Sequence, residues 1–310
     1  MKFNPSKMAF GRHETFLLRY GWLSKGFQAV ARWDRAGESL FTSDEATVIL
    51  GVGKNMVASM RYWLRACRMI EPDSDKPTEL GIKLLGVQGF DPYLEDEATL
   101  WLLHWLLATN SELATSWYWF FNRYHKPEFT GSEMATALLD FVNDQVHQKK
   151  KPSASTIKND AALIPRMYTQ SKGNTRTPLE EALDSPFSLL KLVSQSTGGR
   201  SFQSRPQARP GLPVSILGYT VAQMFDMRGV IALPVEDLMY SQDDHPAPGS
   251  VFRLTELDLV TKLEKLVCEM PGAFEMRDTA GQHQIYKVGD FEAFELIQNH
   301  YASVSKGKAA

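Results

Sequence analysis

SDEATVILGVGKNMVASMRYWLRACR, residues 43–68, is the stretch that decides the fold. Its spacing predicts a helix-turn-helix. A first helix runs from Asp44 to Leu50, with the small Ala46 where a second helix packs close. Gly51 follows at a sharp turn that often needs a positive φ. Val52 plugs the corner, and Gly53-Lys54-Asn55 opens the second helix. At about 100° per residue, Val57, Met60, Leu64 and Cys67 share one side and should face the core. Asn55, Ser59 and Tyr62 fall opposite, with Lys54 and Arg65 on the flank. A helix presented this way fits the major groove of DNA, where Asn and Ser bond base edges and Lys and Arg hold phosphates. Between Gly51 and Ile70 there are four basic residues (Lys54, Arg61, Arg65, Arg68) and no acidic one. A purely structural helix-turn-helix has the same spacing, so DNA contact remains one of two readings. A phosphate-binding loop is excluded: Val48 stands where the first glycine is needed, and Asn55 replaces the Ser or Thr that would meet Mg²⁺.

The flanks extend this unit. Residues 12–33 are predicted to be helical, with Phe16, Leu17, Tyr20, Leu23, Phe27 and Val30 at helical spacing. Met69-Ile70-Glu71 reads as a short strand, Pro72 to Pro77 as a turn, and Thr78 to Leu85 as a closing element. Residues 1–90 therefore read as an N-terminal winged-helix DNA-binding domain. In the middle domain, 91–195, residues 95–124 form an aromatic-rich helical pair (Trp101, Trp105, Trp117, Trp119, Phe120, Phe121). Such rings can stack bases, but with this many leucine neighbours the core reading is favoured. Phe129 to Gln148 opens on a capping signal, Thr130 and Ser132 ahead of Glu133. Pro152 to Asp160 resembles the start of a second recognition-type helix, capped by Ser153 or Ser155 with Lys158 and Asn159 outward. Residues 196–212, rich in Ser, Gly, Arg, Gln and Pro, read as a linker or mobile loop. In the C-terminal domain, 213–310, helices are expected at Val214–Phe225, Pro234–Tyr240, Leu254–Met270 and Phe291–Tyr301. In the third of these Leu257, Val260, Leu263, Leu266 and Val267 should point inward. A hairpin at 273–288 completes a winged-helix-like order. The fold class is mainly α, built from several winged-helix or helix-turn-helix-like units with small β wings.

The 310 residues suffice for two or three domains. Hydrophobic content of 43% and charged content of 23% are those of an ordinary soluble protein. Cys67 and Cys268 lie far apart on apolar helix faces, which argues for buried thiols and a reducing, cytoplasmic setting. No signal peptide is visible, and the longest apolar run, Leu100 to Ala108, is too short to span a bilayer, so no membrane contact is expected. A net charge of −2 decides nothing, but its distribution does. His147 to Arg176 holds seven bases (Lys149, Lys150, Lys151, Lys158, Arg166, Lys172, Arg176) against one acid, Asp160. Gly198 to Pro210 adds Arg200, Arg205 and Arg209, whereas Pro234 to the end holds thirteen acids against seven bases. That asymmetry points to DNA on one side and a different contact on the other, although a basic run is often only a solvated loop.

Near the N-terminus stand Phe10-Gly11-Arg12-His13-Glu14-Thr15-Phe16 and Leu18-Arg19-Tyr20-Gly21-Trp22-Leu23-Ser24-Lys25-Gly26. Together with Leu50 to Val57 and Met60 to Leu64, these motifs resemble the SspB-type family. This bacterial family of unknown-function domains is found beside PAPS-reductase-like genes in DNA phosphorothioation clusters, a restriction-modification and phage-defence setting. The resemblance runs from about Phe10 to Tyr301. It implies a DNA-nicking protein acting with a cysteine desulfurase, an ATPase and a PAPS-reductase-like ATP pyrophosphatase. Together these replace a non-bridging phosphate oxygen with sulfur. The resemblance carries no catalytic residues over.

Phosphodiester cleavage needs an activated nucleophile, charge stabilisation at phosphorus and protonation of the leaving oxygen. His13 can serve as acid or base. Glu14 can bind Mg²⁺ or Mn²⁺, and Arg12, Arg19 and Lys25 can hold phosphate. A zincin motif is absent, since Leu17 stands where a second His is needed, and no organic cofactor is expected. On a helix, His13 and Glu14 would point away from Arg12 and Arg19, so a structural polar cluster or a DNA-backbone contact competes with catalysis. The leading expectation is a DNA nickase of a phosphorothioation system. The alternatives are a non-catalytic DNA-binding adaptor and a transcriptional regulator.

Overall fold

The computed structural model describes residues 2–35, 37–145, 151–170, 185–279 and 281–308. The chain is mainly helical, with two small antiparallel sheets. It divides into two compact units: one of Asn4–Trp119 and Lys126–Arg205, the other of Met1–Phe3, Phe120–His125 and Pro206–Ala310.

In the first unit, α1 (Trp22–Ala31), α2 (Ala46–Leu50) and α3 (Lys54–Ala66) pack together, and the two helices expected within 43–68 are present. α2 stops at Gly51, whose φ of 56° is left-handed and whose N–H donates back to Thr47 and Val48. Glycine meets that conformation without a Cβ clash. Val57, Met60, Leu64 and Cys67 are buried, as the spacing predicts. Where a wing was expected there is one isolated antiparallel bridge, Ile70 to Pro77. Thr78 then caps α4 (Glu79–Leu85) by accepting from Gly81 N–H. α5 (Glu97–Ala108) is buried on every face, as is the aromatic part of α6 (Thr115–Asn122). A helix apolar all round belongs in a core, so Trp101, Trp105, Trp117 and Trp119 do not stack bases. β1 (Glu128–Phe129) precedes α7 (Gly131–Gln145), which opens on a reciprocal capping box. In it Thr130 N–H donates to Glu133 and Glu133 N–H donates to Thr130 Oγ1. Ser153 caps α8 (Ala154–Tyr168).

Two expectations fail here. Residues 12–33 are not one helix: 11–15 form a turn and helix begins only at Trp22. The turn is held by a partner remote in sequence, described below. The stretch 196–212 is not a bare linker. Its β3 (Phe202–Gln203) pairs with both β1 and β2 (Ser194–Gln195), because Phe202 packs against Phe129.

The second unit runs α9 (Val214–Arg228), β4 (Ala232–Pro234), α10 (Val235–Met239), α11 (Pro248–Phe252), α12 (Glu256–Glu269), β5 (Phe274–Thr279), β6 (Gln282–Lys287) and α13 (Ala293–Lys308). Its sheet order is β4-β6-β5, with Leu233 and Met276 both opposite Ile285. Arg253 is buried, and its guanidinium donates to the carbonyls of Phe120, Phe121, Tyr124 and Ser250. Burial, and then the charge of Arg209, pushes its pKa down to about 9, still charged at neutral pH. In α12 the inward face is Leu259, Lys262, Leu263 and Leu266. Leu257, expected inside, is 77% exposed, and Cys268 is also exposed. Lys262 reaches the inner face because its ammonium donates to the Leu212 carbonyl at 3.3 Å. Among the described residues no helix is long and apolar enough to cross a membrane.

Candidate nucleic-acid interface

The Arg12-His13-Glu14 group sits on the turn at 11–15, and its three side chains part company. Arg12 and Glu14 face solvent while His13 is 1% exposed. The N–H of Thr15 donates to His13 Nδ1 at 3.1 Å, so the ring proton sits on Nε2 and is donated to Asp160 Oδ1 at 2.9 Å. This histidine is therefore the neutral tautomer, a hydrogen-bond donor to the carboxylate and not its counter-ion. Asp160, on α8 and equally buried, also accepts from Gly11 N–H at 3.0 Å and Ser116 Oγ at 2.8 Å. Three donors satisfy a carboxylate that would otherwise be costly to bury. His13 is enclosed by the rings of Tyr62, Trp63 and Trp117 at 5.9, 6.3 and 5.9 Å between centroids. Sealed in this way, His13 has no path to a scissile phosphate, which corrects its assignment as a catalytic acid or base. Sequence reasoning missed Asp160 as the partner, because its only sequence signal is being the lone acid of a basic stretch.

On α3, Lys54 and Asn55 are exposed as predicted, but Ser59 and Tyr62 are buried. The 100° projection set them opposite the core, yet both are buried, Tyr62 against the ring of His13 on the 11–15 turn. Burial, followed by the charge of Asp160, holds the Tyr62 phenol well above its ordinary pKa. Arg65 is partly buried and paired. Its Nε donates to Asp75 at 2.7 Å, while Arg61 reaches the same carboxylate at 2.7 Å. Lys25 is exposed, and its Nζ lies 3.7 Å from where a Cβ on Gly51 would be, so it stands at the helix-turn-helix corner beside Lys54. Arg19 is half-buried over the rings of Phe16 and Trp22, at 5.8 and 5.3 Å.

On α8, Ser155, Lys158, Asn159, Ala162 and Arg166 are exposed, and the helix's one acid, Asp160, is turned inward. The outward face of α8 thus carries no negative charge. Lys151 is exposed and donates to Asn143 at 3.3 Å, whereas Lys149 and Lys150 lie outside the described residues. The Tyr62 ring of α3 lies 5.9 Å from the His13 ring, and Asp160 of α8 accepts from His13 Nε2, so both helices contact one turn. Arg200 is exposed, and Arg205 is exposed and paired with Glu128 at 3.3 Å. Arg209 is 5% exposed; burial lowers its pKa to about 10, with Asp258 acting the other way, and it presents no surface for DNA. Among the described residues no group of three or more His, Cys, Asp or Glu side chains is placed to hold a metal ion.

The family model described as Protein of unknown function (DUF4007) matches residues 10–301. No curated protein matches the chain. A crystal structure of SspB is similar, with 30% identity and a TM-score of 0.81 over 97% of this chain and 91% of that one. A magnesium ion-bound SspB crystal structure is 31% identical, with a TM-score of 0.81 over 96% of this chain and 88% of that one.

Proposed function

We propose, on the premise that the chain belongs to the DUF4007 family and is an SspB-type protein, that it is the DNA-binding component of a DNA phosphorothioate modification system. One observation carries this reading: α3 and α8 contact the same turn and expose only basic or uncharged side chains, Lys54 and Asn55 on one, Lys158, Asn159 and Arg166 on the other. Lysine and arginine on such a surface neutralise phosphates, and asparagine can read a base edge. The second unit we read as a winged helix that does not bind DNA. Helix, strand, helices and hairpin follow in winged-helix order, with sheet order β4-β6-β5. On α12 the exposed charges are Glu256, Glu264 and Glu269 against Lys265, a net negative charge that phosphates repel. The acidic face suits a protein contact, consistent with partners such as the desulfurase, ATPase and pyrophosphatase that the family resemblance implies.

Recruitment of those enzymes to DNA is the activity this geometry supports best, because His13 is sealed. Strand nicking is the second reading, favoured by the magnesium ion in one SspB structure. Mg²⁺ keeps several waters and needs only one or two carboxylates, and exposed Glu14 is one such group. With no convergent ligand set among the described residues, no step is derived through the ion. Supercoiled plasmid, incubated with the protein and Mg²⁺ or Mn²⁺, separates the readings. A gel shift with intact plasmid supports the adaptor. Open circles that persist in a His13→Gln variant support a nickase whose hydrolytic group lies elsewhere. Absence of any shift, with Lys54→Ala and Lys158→Ala behaving as wild type, removes DNA binding altogether.

A further inference from the structure

We propose that the turn at 11–15 is a preorganised contact for one backbone phosphate of DNA, with Arg12 as the contacting side chain and the buried His13–Asp160–Ser116 network as the device that positions it. The inference rests on the DNA-binding reading and assigns a role to the motif which that reading leaves unused.

The backbone of the turn is unusual. Gly11, Glu14 and Thr15 have φ of 71°, 49° and 62°, and two of these are not glycine. Side-chain-bearing residues adopt that region rarely, and a run of two persists only where the surroundings dictate it. The surroundings here are polar bonds. Gly11 N–H is held by Asp160, Thr15 N–H by His13 Nδ1 and Phe16 N–H by the His13 carbonyl at 2.9 Å. Space is fixed as well: a Cβ on Gly11 would lie 2.6 Å from Thr156 Cγ2, so the turn sits directly on α8. An apolar plug would fill the same volume. A donor-acceptor chain does something more, because it sets the direction of each residue it touches.

What the network holds still is the residue between its anchors. Arg12 lies between Gly11 and His13, both bonded to the same carboxylate oxygen, and its own side chain is in solvent. Its turn contacts α3 through the His13 and Tyr62 rings and α8 through Asp160 and Thr156. Thr156, against which Gly11 packs, is followed one helical turn later by exposed Asn159. Arg12 is close enough to α3 for its charge to act on Tyr62. With the backbone on either side of it fixed, pairing with a phosphate costs only the side chain's own freedom, and the planar fork of a guanidinium suits phosphate oxygens. Glu14, on the same turn, keeps the local charge low, so the contact is one phosphate and not a broad basic field.

The test is a salt series with a fluorescent 20-base-pair duplex, read by anisotropy, on full-length wild type, Arg12→Ala, Arg12→Lys, Asp160→Asn and the double variant Arg12→Ala/Asp160→Asn. Arg12→Ala should weaken binding about three- to ten-fold and reduce the slope of log K against log salt by about 0.9, one phosphate's share. Arg12→Lys should restore the slope and only part of the affinity. Asp160→Asn should weaken wild type but change nothing once Arg12 is gone, the non-additivity of residues that act through one another. Thermal melts by circular dichroism accompany each variant. If Asp160→Asn melts out, His13→Gln takes its place in the cycle, since an amide keeps one donor and one acceptor. An unchanged slope in Arg12→Ala, or full additivity in the cycle, overturns the proposal while leaving DNA binding standing. A wild type that binds no duplex at any salt overturns the underlying reading, and the proposal with it.

Discussion

Asp75 decides how much of the charge on α3 is available. At 3% side-chain exposure it takes up both Arg61 and Arg65, and Ser39 Oγ also donates to it. Two of the four bases between Gly51 and Ile70 are therefore paired within the protein. Burial raises the Asp75 pKa, and the bonds from Arg61, Ser39 and Arg65 outweigh it, so the carboxyl lies below its ordinary value. A depressed folded-state pKa contributes stability above the unfolded value, near 3.9, that is lost as pH falls through the folded value. Asp75→Asn should accordingly cost about 2–3 kcal/mol at neutral pH. It should also flatten the acid limb of a urea-unfolding series below about pH 4. An acid limb as steep as that of wild type would show the pairing contributes nothing. The two thiols separate in the same way by environment. Burial, opposed by Arg68, pushes Cys67 up to about 12, while Cys268 is exposed. A thiol reagent at pH 8 should titrate one cysteine in the native protein and two in guanidinium.

α8 is the element on which the nucleic-acid reading turns, and its first turn depends on Ser153. The hydroxyl accepts Thr156 N–H at 3.1 Å, one of the donors a helix start leaves open. Ser153→Ala should cost about 1 kcal/mol in chemical denaturation, and Ser153→Asp should cost little, because aspartate caps equally well. Equal losses in both variants would mean that the cap is not the reason serine is there. Such local signals were legible in the sequence. Gly51 marks the turn, Thr130 with Glu133 marks a capping box, Ser153 marks α8, and the 3.6-residue period places Val57, Met60, Leu64 and Cys67 inside. What was not legible depends on partners remote in the chain. His13 stands 147 positions from Asp160, so periodicity extended a helix through residues that a buried carboxylate bends into a turn. Ser59 and Tyr62 look solvent-facing on a single helix and are buried in the fold, Tyr62 against the His13 ring. Leu257 went the other way: Lys262 buried its stem and paired its ammonium with a carbonyl, which rotated the inner face of α12. The polar flank of a helix is thus read less securely than its apolar seam, because hydrogen bonds can bring polar groups inside.

At the scale of the whole molecule, a net charge of −2 conceals two different surfaces. If long-range net charge governed DNA binding, substitutions that change it by the same amount would act with the same magnitude wherever they lay. Contact binding behaves otherwise. Counterion release counts the phosphates actually neutralised, and a charge outside the contact acts only through a field that falls off within a Debye length of about 10 Å at 0.1 M salt. Lys158, exposed on the acid-free face of α8, and Glu264, exposed on the acidic face of α12, offer the comparison. Lys158→Glu lowers the net charge by two, and Glu264→Lys raises it by two. We expect Lys158→Glu to weaken duplex binding about ten-fold or more at 0.1 M salt and to make the salt dependence shallower. We expect Glu264→Lys to leave affinity within about two-fold and the slope unchanged. Anisotropy at 0.05 and 0.2 M salt reads both. Equal and opposite shifts would mean that the protein senses DNA as a diffuse charge, and the assignment of the first unit to DNA and of the acidic α12 face to another partner would lose its basis.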